Sequence, residues 1–127
     1  MLVMSYLKLS PPEAVFYEDE RLYACLAYAP IAEGHCVVAW KDDVEDLHLL
    51  SRDNYEHLMW AVERVRDALL ESLGLDKVYL LYMDEVNHVH WHLVPRREEK
   101  GFTALSHEPQ EIEDFSLADK LRDNFSL

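Results

Sequence analysis

The chain has 127 residues, 50% of them hydrophobic and 11% aromatic, with a formal net charge of −13 at pH 7. This length fits one domain, the apolar content argues against intrinsic disorder, and the negative charge disfavours binding to a nucleic acid polymer or an anionic membrane. No apolar run reaches the ~20 residues that span a bilayer, and the N-terminal residues lack the basic start of a secretory signal, so we expect a cytoplasmic protein.

The first part of the chain predicts three antiparallel strands. Residues 13–18 and 22–29 are rich in Val, Phe, Tyr and Leu, and the polar cluster between them is typical of a hairpin connection. Residues 30–34 predict a second turn, since they begin with Pro and end with Gly. A short apolar run over residues 35–40 then predicts the third strand.

A long helix is predicted after Ser51, where apolar residues recur at steps of three and four. Its apolar stripe consists of Tyr55, Leu58, Met59, Val62, Val65, Leu69 and Leu73. Ser51 or Asp53 is the expected N-cap, and Gly74 stands where a left-handed C-terminal cap belongs. The stripe is expected to pack on the sheet.

Two further strands are predicted over residues 77–83 and 88–94, the second ended by Pro95, and a short helix over residues 116–124. The predicted fold class is therefore α+β, an antiparallel sheet of about five strands with one long helix packed on it.

The C-terminal residues 98–127 carry too many apolar side chains to extend freely into solvent. We expect a single domain over residues 1–127, in which residues 98–127 form an extension packed on the domain or across a dimer interface.

Residues 88–94 alternate histidine with apolar residues, which places His88, His90 and His92 two positions apart. Successive side chains on a strand point to opposite faces, so the three imidazoles are predicted to share one face. Residues two apart on a strand are separated by ~6–7 Å, close enough for the rings to converge on one phosphate or one metal ion. Packing alone explains such a cluster poorly.

Two chemistries suit three imidazoles on one face. In the first, a neutral imidazole attacks phosphorus and forms a phosphohistidine, while a neighbouring imidazole protonates the leaving oxygen. In the second, the three imidazoles bind a zinc-like ion that keeps an open fourth position. The spacing alone does not choose between them.

The sequence His-Val-His-Trp-His-Leu-Val at residues 88–94, continuing into Pro95, resembles the signature of the histidine triad (HIT) family of nucleotide hydrolases and transferases. The likeness covers about residues 13–97, and it extends upstream to residues 15–19, 30–35 and 47–50. The resemblance implies the sheet-plus-helix fold, a homodimer, and action on nucleoside phosphates joined to another group at the α-phosphorus.

By this resemblance, His90 matches the family's nucleophile and would form a nucleotidyl-histidine intermediate that water or another acceptor resolves. His92 matches the histidine that contacts the phosphate and assists the leaving group, and a histidine there favours hydrolysis over transfer. His88 and His35 match supporting histidines. No metal or other cofactor is expected for the covalent step.

Among the positions that depart from the family pattern, three bear on the ribose and the phosphate. Ala27 stands where relatives usually carry the Asp or Asn that bonds the ribose hydroxyls. Asp84 and Glu85 lie just before the triad, where relatives hold phosphate oxygens with a Gly-Gln or Gly-Ser element. Two unit charges ~4 Å apart interact by about 4 kcal/mol at an effective dielectric of 20, so these carboxylates would oppose phosphate binding unless they point away. Asn87 or backbone amides are expected to supply the missing donors.

The sequence therefore predicts a nucleotide phosphohydrolase or nucleotidyl transferase that acts through His90. One alternative is a nucleotide-binding module with weak turnover, which Ala27, Asp84 and Glu85 favour. A metal-dependent hydrolase is the other alternative.

Overall fold

A computed structural model describes residues 10–98 and 100–126 of the chain, with the backbone only at residues 101 and 102. The N-terminal residues considered for a secretory signal therefore lie largely outside the described part, and the single domain over residues 1–127 stays a prediction. Within the described ranges, none of the helices combines the length and apolar character needed to cross a bilayer.

Five antiparallel strands form one sheet in the order β1-β2-β3-β5-β4, which confirms the predicted α+β class. The strands are β1 (Val15–Glu18), β2 (Leu22–Leu26), β3 (Cys36–Trp40), β4 (Lys77–Leu81) and β5 (His90–Arg96). Every residue of β2 and β3 is buried, which explains why these two strands are apolar on both faces.

The first two strands are shorter than predicted because proline-containing turns border them. Pro12–Ala14 form a short 3-10 helix, so β1 begins at Val15 rather than at residue 13. The strand β2 ends at Leu26, and the Ala27 amide then donates to the His35 carbonyl at 2.8 Å, on the way into the turn over residues 30–34.

The fifth strand differs from the prediction at both ends, since it begins at His90 and includes Pro95. Pro95 pairs with Val78 of β4, whereas the pairing of β5 with β3 stops at Leu93. Beyond Leu93, β5 therefore has a neighbour on one side only, and a proline is tolerated there as it is on an edge strand. The prediction that Pro95 ends the strand is wrong for this reason.

Helix α1 (Arg52–Leu73) follows its predicted bounds closely. The Ser51 hydroxyl accepts from the Asn54 amide at 3.2 Å, and Gly74 closes the helix at φ 63°. The predicted stripe faces the sheet through the buried residues Leu58, Val62, Val65 and Leu69. Helix α1 thus covers one face of the sheet and forms the core with it.

The C-terminal extension contains two short helices, α2 (Gly101–Leu105) and α3 (Leu117–Asp123). Helix α3 matches the helix predicted over residues 116–124, whereas α2 was not predicted. Buried Phe115, Ala118 and Leu121 join the hydrophobic core, where α3 packs against α1 and β1. Phe102 is one of the apolar residues of the predicted extension, and its side chain lies outside the described part.

Candidate active site

The sheet brings histidines from two segments of the chain together. His90 and His92 lie on β5, and His35 lies immediately before β3. Because β3 and β5 are antiparallel neighbours with Val37 opposite His92, the residue preceding β3 comes close to the middle of β5. The ring centroids are 4.8 Å apart for His90 and His92 and 5.2 Å apart for His35 and His92.

The orientation of His90 is fixed by a backbone carbonyl. Its Nδ1 lies 2.8 Å from the carbonyl oxygen of His88. A carbonyl can only accept, so Nδ1 carries the proton and the lone pair of the neutral ring is on Nε2. The residue is 6% exposed, so the surrounding side chains hold the ring in place. His90 therefore has the tautomer that a nucleophile acting through Nε2 requires.

A chain of two hydrogen bonds fixes the tautomers of His35 and His92. The Ile31 amide donates to Nδ1 of His35 at 3.2 Å, so the His35 proton is on Nε2. That Nε2 lies 3.0 Å from Nδ1 of His92, which must accept. In the neutral ring of His92 the proton is consequently on Nε2. His92 thus presents a hydrogen-bond donor on the side away from His35.

Both of these imidazoles are neutral near pH 7. Burial, with a smaller electrostatic contribution from His92, lowers the pKa of His35 from 6.5 to about 3. Burial also lowers the pKa of His92 to about 4, with a contribution from His90. The cause in each case is that a charged imidazole loses hydration in the protein interior.

His88 does not take the place predicted for it. It lies in a bend before β5, and its Nε2 donates to the Trp40 carbonyl. Asn87 has a φ of 57°, and this left-handed residue interrupts the extended chain just before His88, so the alternation of faces starts only at His90. The imidazoles in ring contact are those of His35, His92 and His90, and His88 contributes the carbonyl that orients His90.

The carboxylate of Asp84 points into its own loop. Its side chain is 4% exposed, and Oδ1 accepts from the amides of Val86 at 3.0 Å and His88 at 3.2 Å. Oδ2 lies 3.4 Å from the Tyr82 hydroxyl. The carboxylate that was expected to oppose a phosphate is therefore hydrogen-bonded to backbone amides of its own loop. Glu85 and Asn87 in the same loop are exposed.

A cavity of about 400 Å³ opens beside the rings of His35 and His92. Ala27 lines it, as do Leu105, His107 and Pro109 of the C-terminal extension. The position of this wall beside His35 was not predicted, because the residues that form it are 70 or more positions from His35 and match no motif. Only their apolar character indicated that the extension packs on the domain.

The three histidines predicted to share a face are not arranged as metal ligands. In the described ranges, no group of three or more His, Cys, Asp and Glu side chains has an arrangement that could hold a metal ion. The Nε2 of His88 is engaged by the Trp40 carbonyl, and Nδ1 of His92 faces His35. These contacts direct the imidazoles to different partners rather than to one point.

A five-stranded antiparallel sheet under one long helix, with an oriented histidine pair on β5, defines a histidine triad protein. A profile of the HIT domain matches residues 8–99. The chain belongs to the HIT family.

Two relatives agree with this assignment in sequence. An uncharacterized HIT-like protein of Methanocaldococcus jannaschii is 32% identical over 96 residues, which cover 71% of this chain and 74% of the relative. The adenosine 5'-monophosphoramidase of Saccharomyces cerevisiae is 31% identical over 121 residues, which cover 91% of this chain and 73% of the relative.

Two solved structures agree in fold. A hypothetical histidine triad nucleotide-binding protein from Sulfolobus tokodaii has a TM-score of 0.74 at 23% identity, with 88% of this chain and 83% of that chain covered. A zinc-bound histidine triad family protein from Mycobacterium smegmatis has a TM-score of 0.75 at 23% identity, with coverages of 98% and 91%.

Proposed function

We propose that this chain is a hydrolase of substituted nucleoside phosphates, with His90 as the nucleophile. The hydrogen bond from Nδ1 of His90 to the His88 carbonyl carries the proposal, because it leaves the lone pair on Nε2. The relatives support the substrate class, since the yeast protein is an adenosine 5'-monophosphoramidase and a Dictyostelium discoideum relative, 24% identical, is a bis(5'-adenosyl)-triphosphatase.

In the first step, Nε2 of His90 attacks the α-phosphorus. The phosphorus–nitrogen bond to His90 forms as the bond to the leaving group breaks, and the leaving group departs with the electron pair. An amine leaving group takes its proton from solvent before it departs, so that it leaves as the neutral amine. The positive charge that develops on the ring is shared with Nδ1, whose proton is held by the His88 carbonyl. This contact strengthens as the charge grows, so it stabilises the transition state more than the ground state.

His92 is proposed to donate a hydrogen bond without giving up its proton. Losing the Nε2 proton would leave an anionic ring, since Nδ1 is occupied as the acceptor for His35. Adding a proton at Nδ1 would place two donors against each other across 3.0 Å. We therefore no longer expect His92 to protonate the leaving oxygen, and we propose that it only donates a hydrogen bond. The Nε2–H of His92 stabilises the negative charge on the phosphate or the leaving atom.

In the second step, water attacks the same phosphorus and the bond to Nε2 of His90 breaks. The electron pair returns to the ring, and the water proton leaves with the phosphate product or passes to solvent. The neutral tautomer of His90 is restored, because Nδ1 keeps its proton throughout.

The test is the covalent adduct. Adenosine 5'-phosphoramidate mixed with the protein and quenched on the millisecond scale should add one adenylyl mass to the peptide that contains His90. The His90→Ala variant should show neither adduct nor turnover, while His48→Ala, which changes an exposed histidine outside the site, should behave like the native protein. Full activity of His90→Ala would refute the mechanism. Binding without turnover in the native protein would favour a nucleotide-binding module instead.

We also propose that two copies pair through β4. This strand lies at the edge of the sheet, and its Leu80 is 38% exposed. An open edge with an exposed apolar side chain is a ready site for a second chain. Light scattering after gel filtration should give twice the chain mass, and Leu80→Lys should lower it to that of one chain. A cytoplasmic location remains part of the proposal.

A further inference from the structure

The cavity beside His35 and His92 is lined mainly by apolar side chains. Ala27 and Ile31 come from the segment between β2 and β3, Leu81 and Val94 from the sheet, and Leu105 from α2. None of the described residues that line it carries a carboxylate or an amide side chain. A volume of about 400 Å³ lies within the range of small-molecule sites and accommodates a ring system the size of a nucleobase.

The outer wall of this cavity is held by hydrogen bonds. The amides of Gln110 and Ile112 each donate to backbone carbonyls of the turn, those of Pro30 and Tyr28, at 3.2 Å. Nδ1 of His107 donates to the Ile31 carbonyl at 2.9 Å. These bonds join the extension to the segment that contains His35. The cavity is therefore largely formed before any ligand enters.

Several polar groups of the lining are engaged within the protein, and the Nε2–H of His92 can only donate. The Tyr28 hydroxyl donates to Glu111 at 2.9 Å, and the facing nitrogens of His35 and His92 bond to each other. At the end of β2, Ala27 presents only a methyl group, and its amide is bonded to the His35 carbonyl. A pair of sugar hydroxyls thus finds no carboxylate here to accept their protons.

From these contacts we infer that the cavity binds a flat apolar ring of the substrate by burial and does not select for sugar hydroxyls. This inference rests on the proposed function, and it adds which part of the substrate the protein recognises. A site built to bond a hydroxyl rejects analogues that lack it by large factors, whereas an apolar pocket discriminates weakly. The enzyme should therefore accept ribonucleoside and deoxyribonucleoside phosphates almost equally.

The direct test compares adenosine 5'-phosphoramidate with its 2'-deoxy and 2',3'-dideoxy analogues. We expect kcat/KM values that agree within about threefold. A ratio above about tenfold in favour of the ribonucleoside would overturn the inference, because it requires hydroxyl recognition.

A pair of variants tests whether the ring of the substrate binds in this cavity. Leu105 and Leu49 are both exposed leucines in short helices, but only Leu105 lines the cavity. Leu105→Asp should raise KM at least tenfold, because the carboxylate must be desolvated by the ring. Leu49→Asp should leave KM within twofold of the native value. Equal KM values for the two variants, with circular dichroism showing both folded, would place the ring elsewhere.

A binding measurement separates this inference from the proposed chemistry. The His90→Ala variant cannot form the adduct, and calorimetry with AMP, 2'-deoxy-AMP, phenyl phosphate and ribose 5-phosphate reports binding alone. The inference expects similar affinity for the first two, retained binding of phenyl phosphate and no measurable binding of ribose 5-phosphate. Ribose 5-phosphate binding as tightly as AMP would overturn it. Failure of the adduct experiment, in contrast, overturns only the covalent mechanism.

Discussion

Oδ1 of Asp84 lies 4.0 Å from Nδ1 of His90, and each of the two atoms is hydrogen-bonded to the backbone of His88. The His88 amide donates to Asp84, and the His88 carbonyl accepts from His90. Asp84 therefore holds the residue that orients the proposed nucleophile, although it touches no reacting atom.

Replacing Asp84 should lower kcat more than it changes KM. Asp84→Ala leaves the amides of Val86 and His88 without their acceptor, which should cost about 1–3 kcal/mol in the free energy of unfolding. Asp84→Asn keeps one acceptor oxygen and should restore part of both losses. The neighbouring exposed Glu85 provides the control, since Glu85→Ala should change neither quantity. Native kcat in Asp84→Ala would show that the loop keeps its shape without the carboxylate.

Asn87 was predicted to bind the substrate, and its backbone conformation suggests how to test this. Its φ of 57° is one that glycine adopts without strain. Asn87→Gly therefore removes the amide while preserving the loop. If the amide holds a phosphate oxygen, KM should rise about tenfold with an unchanged melting temperature. An unchanged KM would leave the phosphate contacts to backbone amides.

The limited role proposed for His92 predicts a strong dependence on the leaving group. Without proton transfer, adenosine 5'-phosphate esters of acidic phenols should react faster than those of basic phenols, by about tenfold or more between 4-nitrophenol and phenol. His92→Ala should lower kcat by about 10²–10³-fold, as expected for the loss of one donor to developing charge. Equal rates along the phenol series, with chemistry rate-limiting in single-turnover experiments, would indicate that a proton is transferred after all.

The buried imidazoles predict how stability varies with pH. In the unfolded chain both titrate near 6.5, whereas in the folded chain the pKa is about 3 for His35 and about 4 for His92. Between pH 6.5 and 4 the unfolded state binds more protons, so the free energy of unfolding falls as the pH is lowered. The slope is at most about 1.4 kcal/mol per pH unit for each imidazole.

Urea unfolding at pH 4.5, 5.5, 6.5 and 7.5 measures this slope. His92→Gln should flatten it, because one of the two groups no longer titrates. His48→Gln, at an exposed position, should leave it unchanged. An identical slope in His92→Gln and the native protein would mean that other groups dominate the acid sensitivity.

Gly34 and Gly74 form a matched pair, because both have positive φ angles, 89° and 63°. An added Cβ at Gly34 would lie 2.8 Å from Cδ1 of Leu73 and 3.1 Å from Cγ of Pro95, whereas one at Gly74 meets nothing within 4 Å. Gly74→Ala should cost about 1–2 kcal/mol from backbone strain alone. Gly34→Ala should cost about 1–3 kcal/mol more from overpacking, and it should reduce activity because His35 follows directly. Calorimetric unfolding of both variants measures the two losses in stability, and equal losses would contradict the predicted overpacking at Gly34.

The sequence predicted those features that depend on local periodicity. The stripe that contains Leu58 and Val65, the cap at Ser51 and the glycine at position 74 all lie where the pattern indicated. The missed features depend on contacts between distant segments. The pairing of His35 with His92 follows from the register of β3 and β5, and the tolerance of Pro95 follows from where that pairing stops. Neither is encoded in a local run of residues.

The uncharged state of His35 and His92 bears on how an anion reaches this protein. At the proposed site a phosphate would meet the Nε2–H dipole of neutral His92, whereas the chain as a whole carries a charge of −13 and would repel the phosphate at long range. Added salt screens the repulsion and leaves the short-range dipoles almost untouched. Capture of a phosphate ester by this protein should therefore become faster, not slower, as ionic strength rises.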